Sequence, residues 1–307
     1  MKTMADLLNK TQITIVNQGI DFIIGHLFEK ITVDMIADHC CFSRYYFNRL
    51  FKGVMGESLY SFIKRLRIET AAFKFIKFPN LSITSVAAEL GYSSSNFTVL
   101  FKKYYGISPS QFRLNPKLPL EPESRSALNR IQNLQKIKPL KLLEQMEQQI
   151  SFETIPDIKI MYQRFKGNYK DLPDVWESFC EKIETAFQNS PLEFYGISYD
   201  DPLIVGKNNC LYDLCTRVAR PSKATGANYK TIPGGDFLIY RYNDHFENLS
   251  QIYNDLFAIW MPHKGYGMDN RLCFERYYEG TEPGGRLIMD ICIPIVSKAR
   301  LKFRSKL

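Results

Sequence analysis

The chain has 307 residues, more than one hydrophobic core usually supports, so we expect two domains. Hydrophobic residues make up 45% of the sequence and charged residues 23%, which excludes an intrinsically disordered chain. The formal net charge of +8 and the sequence pI of about 9.0 favour a polyanionic partner.

Seven cysteines form no C-x-x-C pair, and the four histidines are scattered, so we expect reduced thiols, no metal site and no cofactor. Met1 is followed by a polar start rather than by the basic and apolar regions typical of a signal peptide, and the sequence has no run of about 18 apolar residues. We therefore expect a soluble, cytoplasmic protein that does not interact with membranes.

The first third of the chain carries most of the positive charge, because residues 1–113 contain 14 Lys or Arg and 8 Asp or Glu. It also contains an ungapped internal repeat with an offset of 50 residues. The matched positions are Ile36/Val86, Ala37/Ala87, Phe42/Tyr92, Ser43/Ser93, Phe47/Phe97, Leu50/Leu100, Phe51/Phe101, Lys52/Lys102, Gly56/Gly106, Ser58/Ser108 and Phe62/Phe112. Such a repeat predicts two copies of one supersecondary unit.

Each copy has the pattern of a helix, a tight turn and a second helix. The residues that delimit it are Cys41-Phe42 and Gly91-Tyr92 in the turns, Ser43 and Ser93 or Ser94 as N-caps, and Gly56 and Gly106 at the helix ends. Between the copies, Ser58–Phe78 combines apolar residues at helical spacing with basic residues. A helix of about 20 residues is about 30 Å long, and one turn of B-DNA is about 34 Å, so this helix can place both copies in successive major grooves.

The second copy carries the strongest family signature. It consists of Val86-Ala87-Ala88-Glu89-Leu90-Gly91-Tyr92, Phe97, Phe101-Lys102-Lys103, Gly106, Ser108-Pro109 and Phe112-Arg113. These residues resemble the AraC/XylS family of transcription regulators, and the resemblance covers residues 12–113. It implies a DNA-binding domain over residues 1–113, all α-helical, with two helix-turn-helix units joined by a long helix.

Outward positions on the two second helices are the candidate DNA contacts. In the first unit they are Arg44, Tyr45, Asn48, Arg49 and Lys52. Arg can bind guanine and Asn can bind adenine through two hydrogen bonds each, and the resemblance assigns base reading to Tyr45, Asn48 and Arg49. The alternative for Arg44 and Lys52 is contact with phosphate or water only.

The second unit offers Ser94, Ser95, Thr98, Lys102 and Lys103. It has Val99 where the family often has Arg, and hydroxyl side chains make ambiguous base contacts. We expect this unit to anchor the protein on phosphates rather than to read sequence.

Residues 114–149 begin with the breaks Asn115-Pro116, Leu118-Pro119 and Glu121-Pro122 and then become rich in Leu, Gln, Lys and Glu. We interpret them as a partly helical linker; the alternative is a helix packed on either domain.

Residues 150–307 alternate between strand and helix patterns and predict an α+β domain with two similar β-α-β-β-type halves. The predicted strands are Ser151–Phe165 (one strand or a pair), Phe194–Tyr199, Cys210–Val218, Asp236–Tyr242, Leu272–Tyr278 and Leu287–Ile295, and the predicted helices are Leu172–Asn189 and Leu249–Trp260.

This half resembles the GyrI-like small-molecule-binding domain. The matching segments are Lys166-Gly167-Asn168-Tyr169, Tyr195-Gly196, Asp200-Asp201-Pro202, Tyr212-Asp213, Pro233-Gly234-Gly235, Trp260, Phe274-Glu275-Arg276-Tyr277 and Ile293-Pro294. The resemblance implies that an aromatic, often cationic, compound binds between the two halves.

Glu275 is a carboxylate in an otherwise apolar, aromatic segment and is the candidate counter-charge for a cationic ligand. The candidate aromatic contacts are Tyr169, Trp176, Tyr195, Trp260 and Tyr277. The alternatives are that Glu275 pairs with Arg271 or Arg276 and that the aromatic residues belong to the core.

The leading hypothesis is a transcription regulator that acts as an activator. Its expected partners are double-stranded DNA, a small-molecule effector such as a lipophilic cation, and RNA polymerase. We do not expect an enzyme, because the sequence shows no Ser-His-Asp or Cys-His arrangement. The alternatives are a GyrI-like hydrolase with Glu275 as general base, a toxin-sequestering protein tethered to DNA, and a module that inhibits another protein.

Overall fold

The computed structural model describes residues 4–116, 122–137, 139–186, 192–219, 227–267, 269–278 and 286–295. The chain divides into two compact units, Met1–Leu118 with Lys223–Asn228, and Pro119–Ser222 with Tyr229–Leu307. No helix in the described ranges is both long and apolar enough to cross a membrane.

The first unit is helical in its described residues. Its helices are α1 (Met4–Gly25), α2 (Val33–His39), α3 (Arg44–Met55), α4 (Leu59–Lys77), α5 (Ile83–Glu89), α6 (Ser94–Tyr105) and α7 (Pro109–Leu114). The predicted connecting helix is therefore α4, and the two helix-turn-helix units are α2–α3 and α5–α6.

Hydroxyl side chains begin six of these helices. The N-caps of α2 to α7 are Thr32, Ser43, Ser58, Ser82, Ser93 and Ser108, and each accepts a hydrogen bond from the backbone N–H three residues later. The structure thus selects Ser93 over Ser94 as the cap of α6. Gly56 and Gly106 end α3 and α6 with positive φ angles of 79° and 76°, the conformation that glycine adopts most easily.

The two copies of the repeat bury the same positions. The exposure classes of residues 41–60 and 91–110 match one for one. In each copy the two phenylalanines of the second helix are fully buried, Phe47 with Phe51 and Phe97 with Phe101. The turns differ in one respect, because Cys41 adopts φ 60° where the second copy has Gly91 at φ 79°.

The second unit is a mixture of helices and strands. Its helices are α8 (Pro122–Lys136), α9 (Leu140–Glu147), α10 (Leu172–Ala186), α11 (Pro202–Val205), α12 (Leu249–Asp255) and α13 (Met261–Lys264), with a π-helical stretch at Leu256–Trp260 between the last two. Its strands are β1 (Ile150–Ile155), β2 (Ile158–Gly167), β3 (Phe194–Ser198), β4 (Cys210–Arg217), β5 (Asn228–Ile232), β6 (Gly235–His245), β7 (Phe274–Tyr277) and β8 (Arg286–Pro294).

These strands form one sheet in the order β1-β6-β8-β7-β3-β4-β2-β5. The predicted segment Ser151–Phe165 is a pair of strands, but they do not pair with each other: β1 pairs with β6, and β2 pairs with β4. Strand β5 was not predicted. The predicted helix Leu249–Trp260 changes from α to π geometry at Leu256. The end of the predicted helix Leu172–Asn189 lies outside the described residues.

Most of the predicted linker is helical. Its helices, α8 and α9, belong to the second compact unit and contact other elements of that unit. Arg130 of α8 forms an ion pair with the buried Asp255 of α12, and Gln135 donates a hydrogen bond to the Ala258 carbonyl. Leu143 and Met146 of α9 are buried.

The sheet has two apolar faces. Alternate residues of β2, β3, β4 and β7, including Tyr162, Tyr195 and Phe274, share one core cluster with Phe237 of β6. On the opposite face, Tyr212 and Leu214 of β4 pack with buried residues of α10. The second face carries the candidate effector site.

Candidate DNA-binding surface and effector site

Helix α3 presents an exposed polar surface, which we call the α3 surface, formed by Arg44, Tyr45, Asn48, Arg49 and Lys52. Asn48 is half-buried, and the other four residues are exposed. Tyr45 is 78% exposed, an unusual position for an aromatic ring that has no partner surface.

Two arginines of the α3 surface differ in their contacts. Arg44 lies 3.4 Å from Asp34 of α2, and both side chains are more than half exposed. Arg49 forms no ion pair with any other described residue, and it borders a shallow groove with Gln12 and Ile13 of α1. A guanidinium with no internal partner can form two hydrogen bonds to a base edge.

The α6 surface has weaker hydrogen-bonding chemistry. Ser94 and Ser95 are exposed, but the Thr98 hydroxyl donates to the Ser94 carbonyl at 2.8 Å. Val99, the position that corresponds to Arg49, is 66% exposed. Lys102 and Lys103 are exposed in the last turn.

The basic side chains of α4 do not form an exposed basic stripe. Arg65 lies between Glu57 and Glu69, at 2.6 and 2.9 Å. Lys77 is only 1% exposed. Positive charge on this helix therefore stabilises the first unit, and the exposed candidates for phosphate contacts lie on α3 and α6.

In the second unit, Glu275 lies in the middle of the sheet and is 2% exposed. Strand β7 pairs it with Gly196 of β3 on one side and with Ile291 of β8 on the other. A Cβ atom at position 196 would lie 1.8 Å from the Tyr212 hydroxyl and 2.5 Å from Oε2 of Glu275, so this close approach requires glycine.

Four hydroxyl groups donate to the Glu275 carboxylate; we call this group the hydroxyl cluster. Oε1 accepts from Ser198 at 3.2 Å and from Tyr253 at 2.8 Å. Oε2 accepts from Tyr277 at 2.7 Å and from Tyr212. The donors come from β3, α12, β7 and β4, so four elements meet at one carboxylate.

The tyrosines of the cluster remain hydrogen-bond donors. Burial, reinforced by the nearby charge of Glu275, raises the pKa values of Tyr212, Tyr253 and Tyr277 well above their ordinary range. The carboxylate is therefore solvated by neutral hydroxyl groups.

Neither predicted arginine pairs with Glu275. Arg271 binds Asp269 and the Gly234 carbonyl, at 2.9 and 2.7 Å. Arg276 points to the other face of the sheet and contacts Glu153 and Asp290, at 2.8 and 2.7 Å. Successive strand residues face opposite sides, so Arg276 cannot reach its neighbour's carboxylate.

Two further predicted residues surround the hydroxyl cluster. The Trp176 ring lies 5.0 Å from the Tyr277 ring, and the Tyr169 ring meets the Tyr212 ring edge-on at 5.8 Å. The Tyr169 hydroxyl donates to the Leu211 carbonyl at 2.8 Å. The Trp176 indole N–H is buried and has no hydrogen-bond partner among the described residues.

Tyr195 and Trp260 do not belong to this group, and their prediction as ligand contacts requires correction. Tyr195 precedes Gly196 on β3 and therefore faces the opposite core, where its hydroxyl donates to Glu193 at 2.6 Å. Trp260 is 3% exposed in the π-helical stretch and stacks on Tyr266 at 5.5 Å. Both are core residues by these contacts.

Sequence reasoning missed three members of the hydroxyl cluster, Ser198, Tyr212 and Tyr253. Tyr212 stands in a segment that resembles the GyrI-like domain, but nothing in that segment indicates which face it occupies. Tyr253 and Phe257 have the helical spacing of core residues, and their rings do stack.

Comparisons with known proteins assign both regions. A family model described as a helix-turn-helix domain matches residues 36–115, and one described as a GyrI-like small molecule binding domain matches residues 148–296. The C-terminal domain of EcmrR, a solved structure, covers 48% of this chain and 97% of its own, with 16% identity and a TM-score of 0.41.

Two named relatives match about a third of the chain. The HTH-type transcriptional activator AarP of Providencia stuartii is 34% identical over 118 residues, 36% of this chain and 87% of that protein. The probable transcription factor PqrA of Proteus vulgaris is 34% identical over 92 residues, 30% of this chain and 75% of that protein. The chain therefore belongs to the AraC-type helix-turn-helix family of DNA-binding transcription regulators and carries a GyrI-like small-molecule-binding domain.

Proposed function

We propose that this regulator responds to a lipophilic aromatic cation that binds beside Glu275. One observation carries the proposal: Glu275 is a buried carboxylate that has no cationic partner among the described residues. Hydroxyl groups satisfy its hydrogen bonds but do not neutralise its charge.

The other buried carboxylates provide the contrast. Four more are at most 5% exposed in the described chain, and each has an ion pair: Glu69 with Arg65, Asp213 with Arg164, Asp255 with Arg130 and Asp290 with Arg276. An isolated buried charge is costly to maintain. A site that keeps one is suited to a partner that supplies the opposite charge.

The surroundings of Glu275 favour an aromatic cation over a metal ion or a sugar. The rings of Trp176, Tyr212 and Tyr277 lie around the carboxylate, and each ring face that meets a cation adds about 0.5–2 kcal/mol. The buried indole N–H of Trp176 supplies a donor for an acceptor atom on the effector.

The strand order supports an effector site at the junction of two β-α-β-β halves, β2-α10-β3-β4 and β6-α12-β7-β8. The order is symmetric about the β7–β3 pair, which joins the halves beside Glu275. The halves also contain matching cross-strand pairs, Arg164 opposite Asp213 and Arg241 opposite Asp290. Trp176 and Tyr253, equally spaced from these arginines, bring α10 and α12 to the same site.

The hydrolase alternative gains no support from this geometry. Each oxygen of Glu275 already accepts two hydroxyl donors, so a substrate water would have to displace one of these hydroxyl groups to reach the carboxylate. The matched relatives AarP and PqrA bear the names of transcription factors.

For DNA recognition, we propose that the α3 surface reads bases and that Lys102 and Lys103 anchor α6 on phosphates. The name of AarP, a transcriptional activator, supports a role as an activator. We propose RNA polymerase as a partner and the cytoplasm as the location of such an activator. The proposed domain limits are residues 1–113 for DNA binding, 114–149 for the linker and 150–307 for the effector.

The effector proposal is tested by calorimetry on the full chain with two probes of the same shape and opposite charge, tetraphenylphosphonium and tetraphenylborate. We expect the cation alone to bind. Glu275→Gln should weaken it at least about tenfold, the loss of one close charge contact. Glu177→Gln, an exposed substitution beside Trp176, is the matched control and should have little effect.

Binding of both probes alike, or undiminished cation binding by Glu275→Gln, would overturn the proposal. If Glu275→Gln unfolds, Tyr253→Phe retains the charge and removes one donor. That variant should then bind the cation as tightly as the original chain or more tightly.

A further inference from the structure

Two cations of α4 lie on one face of the helix, seven residues apart, and point into the first unit. Arg67 donates to the carbonyl oxygens of Leu27 and Glu29, at 3.0 and 2.6 Å, and its guanidinium lies 5.7 Å from the centre of the Tyr92 ring. Lys74 lies 2.6 Å from a carboxylate oxygen of Glu89, with its side chain 14% exposed.

Each of these cations contacts both the segment that precedes the first helix-turn-helix unit and the second helix-turn-helix unit. Lys74 also stacks over the Phe28 ring at 5.0 Å. Residues 27–29 lie in the segment between α1 and α2, and α2 is the first helix of the first helix-turn-helix unit. Glu89 ends α5, and Tyr92 lies in the turn before α6. The segment before α2 is thus linked to the second helix-turn-helix unit, α5–α6, at two points along α4.

We propose that Arg67 and Lys74 form a clasp that fixes the separation and rotation of α3 relative to α6. The clasp makes the protein require one spacing between its two DNA half-sites. Arg67 and Lys74 are positioning residues that do not contact DNA. This inference rests on the DNA binding that the family assignment implies and is independent of the effector proposal.

The physical reason lies in the geometry of DNA. Inserting one base pair moves a half-site by about 3.4 Å along the axis and rotates it by about 35°. A pair of recognition helices joined only by α4 absorbs part of this change by bending and twisting of that helix. A pair also held by the clasp cannot do so without breaking hydrogen bonds to charged groups.

The test starts from a duplex selected from a random library by the full chain without effector. Its affinity is measured with the original spacing and with one base pair inserted or deleted between the half-sites. We expect the unaltered protein to lose at least about tenfold upon either change, a cost comparable to one mismatched base pair. Arg67→Gln, Lys74→Gln and the double variant should show a smaller loss, about threefold or less for the double variant.

A second readout separates positioning from phosphate contact. The salt dependence on the original duplex should be unchanged in the clasp variants, whereas Lys103→Ala should reduce the slope by about one. Lys64→Gln, on the same helix with its ammonium over the Tyr60 ring, is the matched control and should retain the spacing requirement.

The proposal is overturned if the double variant retains the full spacing penalty, or if Arg67→Gln and Lys74→Gln each flatten the salt dependence as Lys103→Ala does. If Arg67→Gln fails to fold by circular dichroism, Lys74→Gln alone must still relax the spacing requirement.

Discussion

Asp213 and Glu275 are carboxylates on the same sheet, with exposures of 0% and 2%, yet their partners differ in kind. Asp213 lies 2.7 Å from Nε of Arg164 and also binds Lys230, while the Tyr199 hydroxyl donates to it at 2.6 Å. Glu275 is held by hydroxyl groups alone. The Asp213 carboxylate contacts two cations, whereas the Glu275 carboxylate contacts none among the described residues, and the effector proposal assigns its missing counter-charge to a ligand.

The difference suggests how to distinguish a structural carboxylate from a candidate binding carboxylate when both are buried. Burial and hydrogen bonding are similar in the two sites, so neither property distinguishes them. The distinguishing property is whether cationic side chains contact the carboxylate. We therefore expect substitution of Asp213 to lower stability and substitution of Glu275 to weaken ligand binding.

The largest effect should come from Asp213→Asn, because it removes the buried carboxylate that Arg164 and Lys230 both contact. We expect a loss of about 3–5 kcal/mol in the free energy of unfolding. Urea unfolding followed by tryptophan fluorescence reports on the second unit, since both tryptophans, Trp176 and Trp260, lie there.

Asp174→Asn, an exposed substitution on α10, is the control and should be nearly neutral. A loss below about 1 kcal/mol for Asp213→Asn would remove the contrast with Glu275.

The contribution of Asp213 should also disappear in acid. Burial raises the pKa of this carboxyl, but Arg164 and Lys230 outweigh it and hold the pKa below the ordinary value. A lowered folded-state pKa gives stability that is fully present above the unfolded-state value of about 3.9 and is lost as the pH falls through the folded-state value. The urea midpoints of the unaltered chain and Asp213→Asn should therefore differ at neutral pH and converge below about pH 4. A constant difference across this range would contradict the assignment.

A smaller loss is expected from Gly196→Ala at the other site. The added methyl group must displace the Tyr212 hydroxyl or the Glu275 carboxylate, so we expect a cost of about 1–3 kcal/mol and weaker cation binding. Gly25→Ala meets no atom within 4 Å and should leave thermal unfolding by circular dichroism nearly unchanged. Full cation binding by Gly196→Ala would show that the hydroxyl cluster does not form the site.

The smallest effect should follow Arg44→Ala, which removes an ion pair to Asp34 on the surface of the first unit. Both side chains are exposed, at 64% and 58%, so we expect a change within about 0.5 kcal/mol in stability. The same variant should weaken DNA binding, measured by fluorescence anisotropy, if Arg44 contacts phosphate. A large stability loss would show that exposure does not separate the two kinds of ion pair.

The helices of the first unit could be predicted well from the sequence because interactions between residues close in the chain determine where they begin and end. The serine caps and the glycine ends act within four residues, and Ser43, Gly56 and Gly106 have the predicted roles. The partners of the basic residues on α4 were not predictable in this way. Arg67 contacts carbonyl groups 38 and 40 residues away, and only the packed unit brings them together.

The residues around Glu275, the candidate effector site, could be predicted from the sequence only in part. The composition of its segment identifies Glu275 as unusual, and Tyr169, Trp176 and Tyr277 lie near it. The face of a strand depends on register, and a shift of one residue separates Gly196 from Tyr195. Tyr253 comes from a helix 22 residues before Glu275, so no local pattern connects them.

The matching exposure of residues 41–60 and 91–110 has a consequence for engineering this scaffold. The outward positions of α6 can be exchanged for those of α3 without altering any buried position. If the α3 surface reads bases as proposed, transfer of Arg44, Tyr45, Asn48 and Arg49 to positions 94, 95, 98 and 99 gives a chain that presents the same reading chemistry twice. We expect such a chain to prefer an operator that contains a tandem direct repeat. The exposed residues transferred to α6, and not the buried residues of the fold, would then determine which DNA sequence is bound.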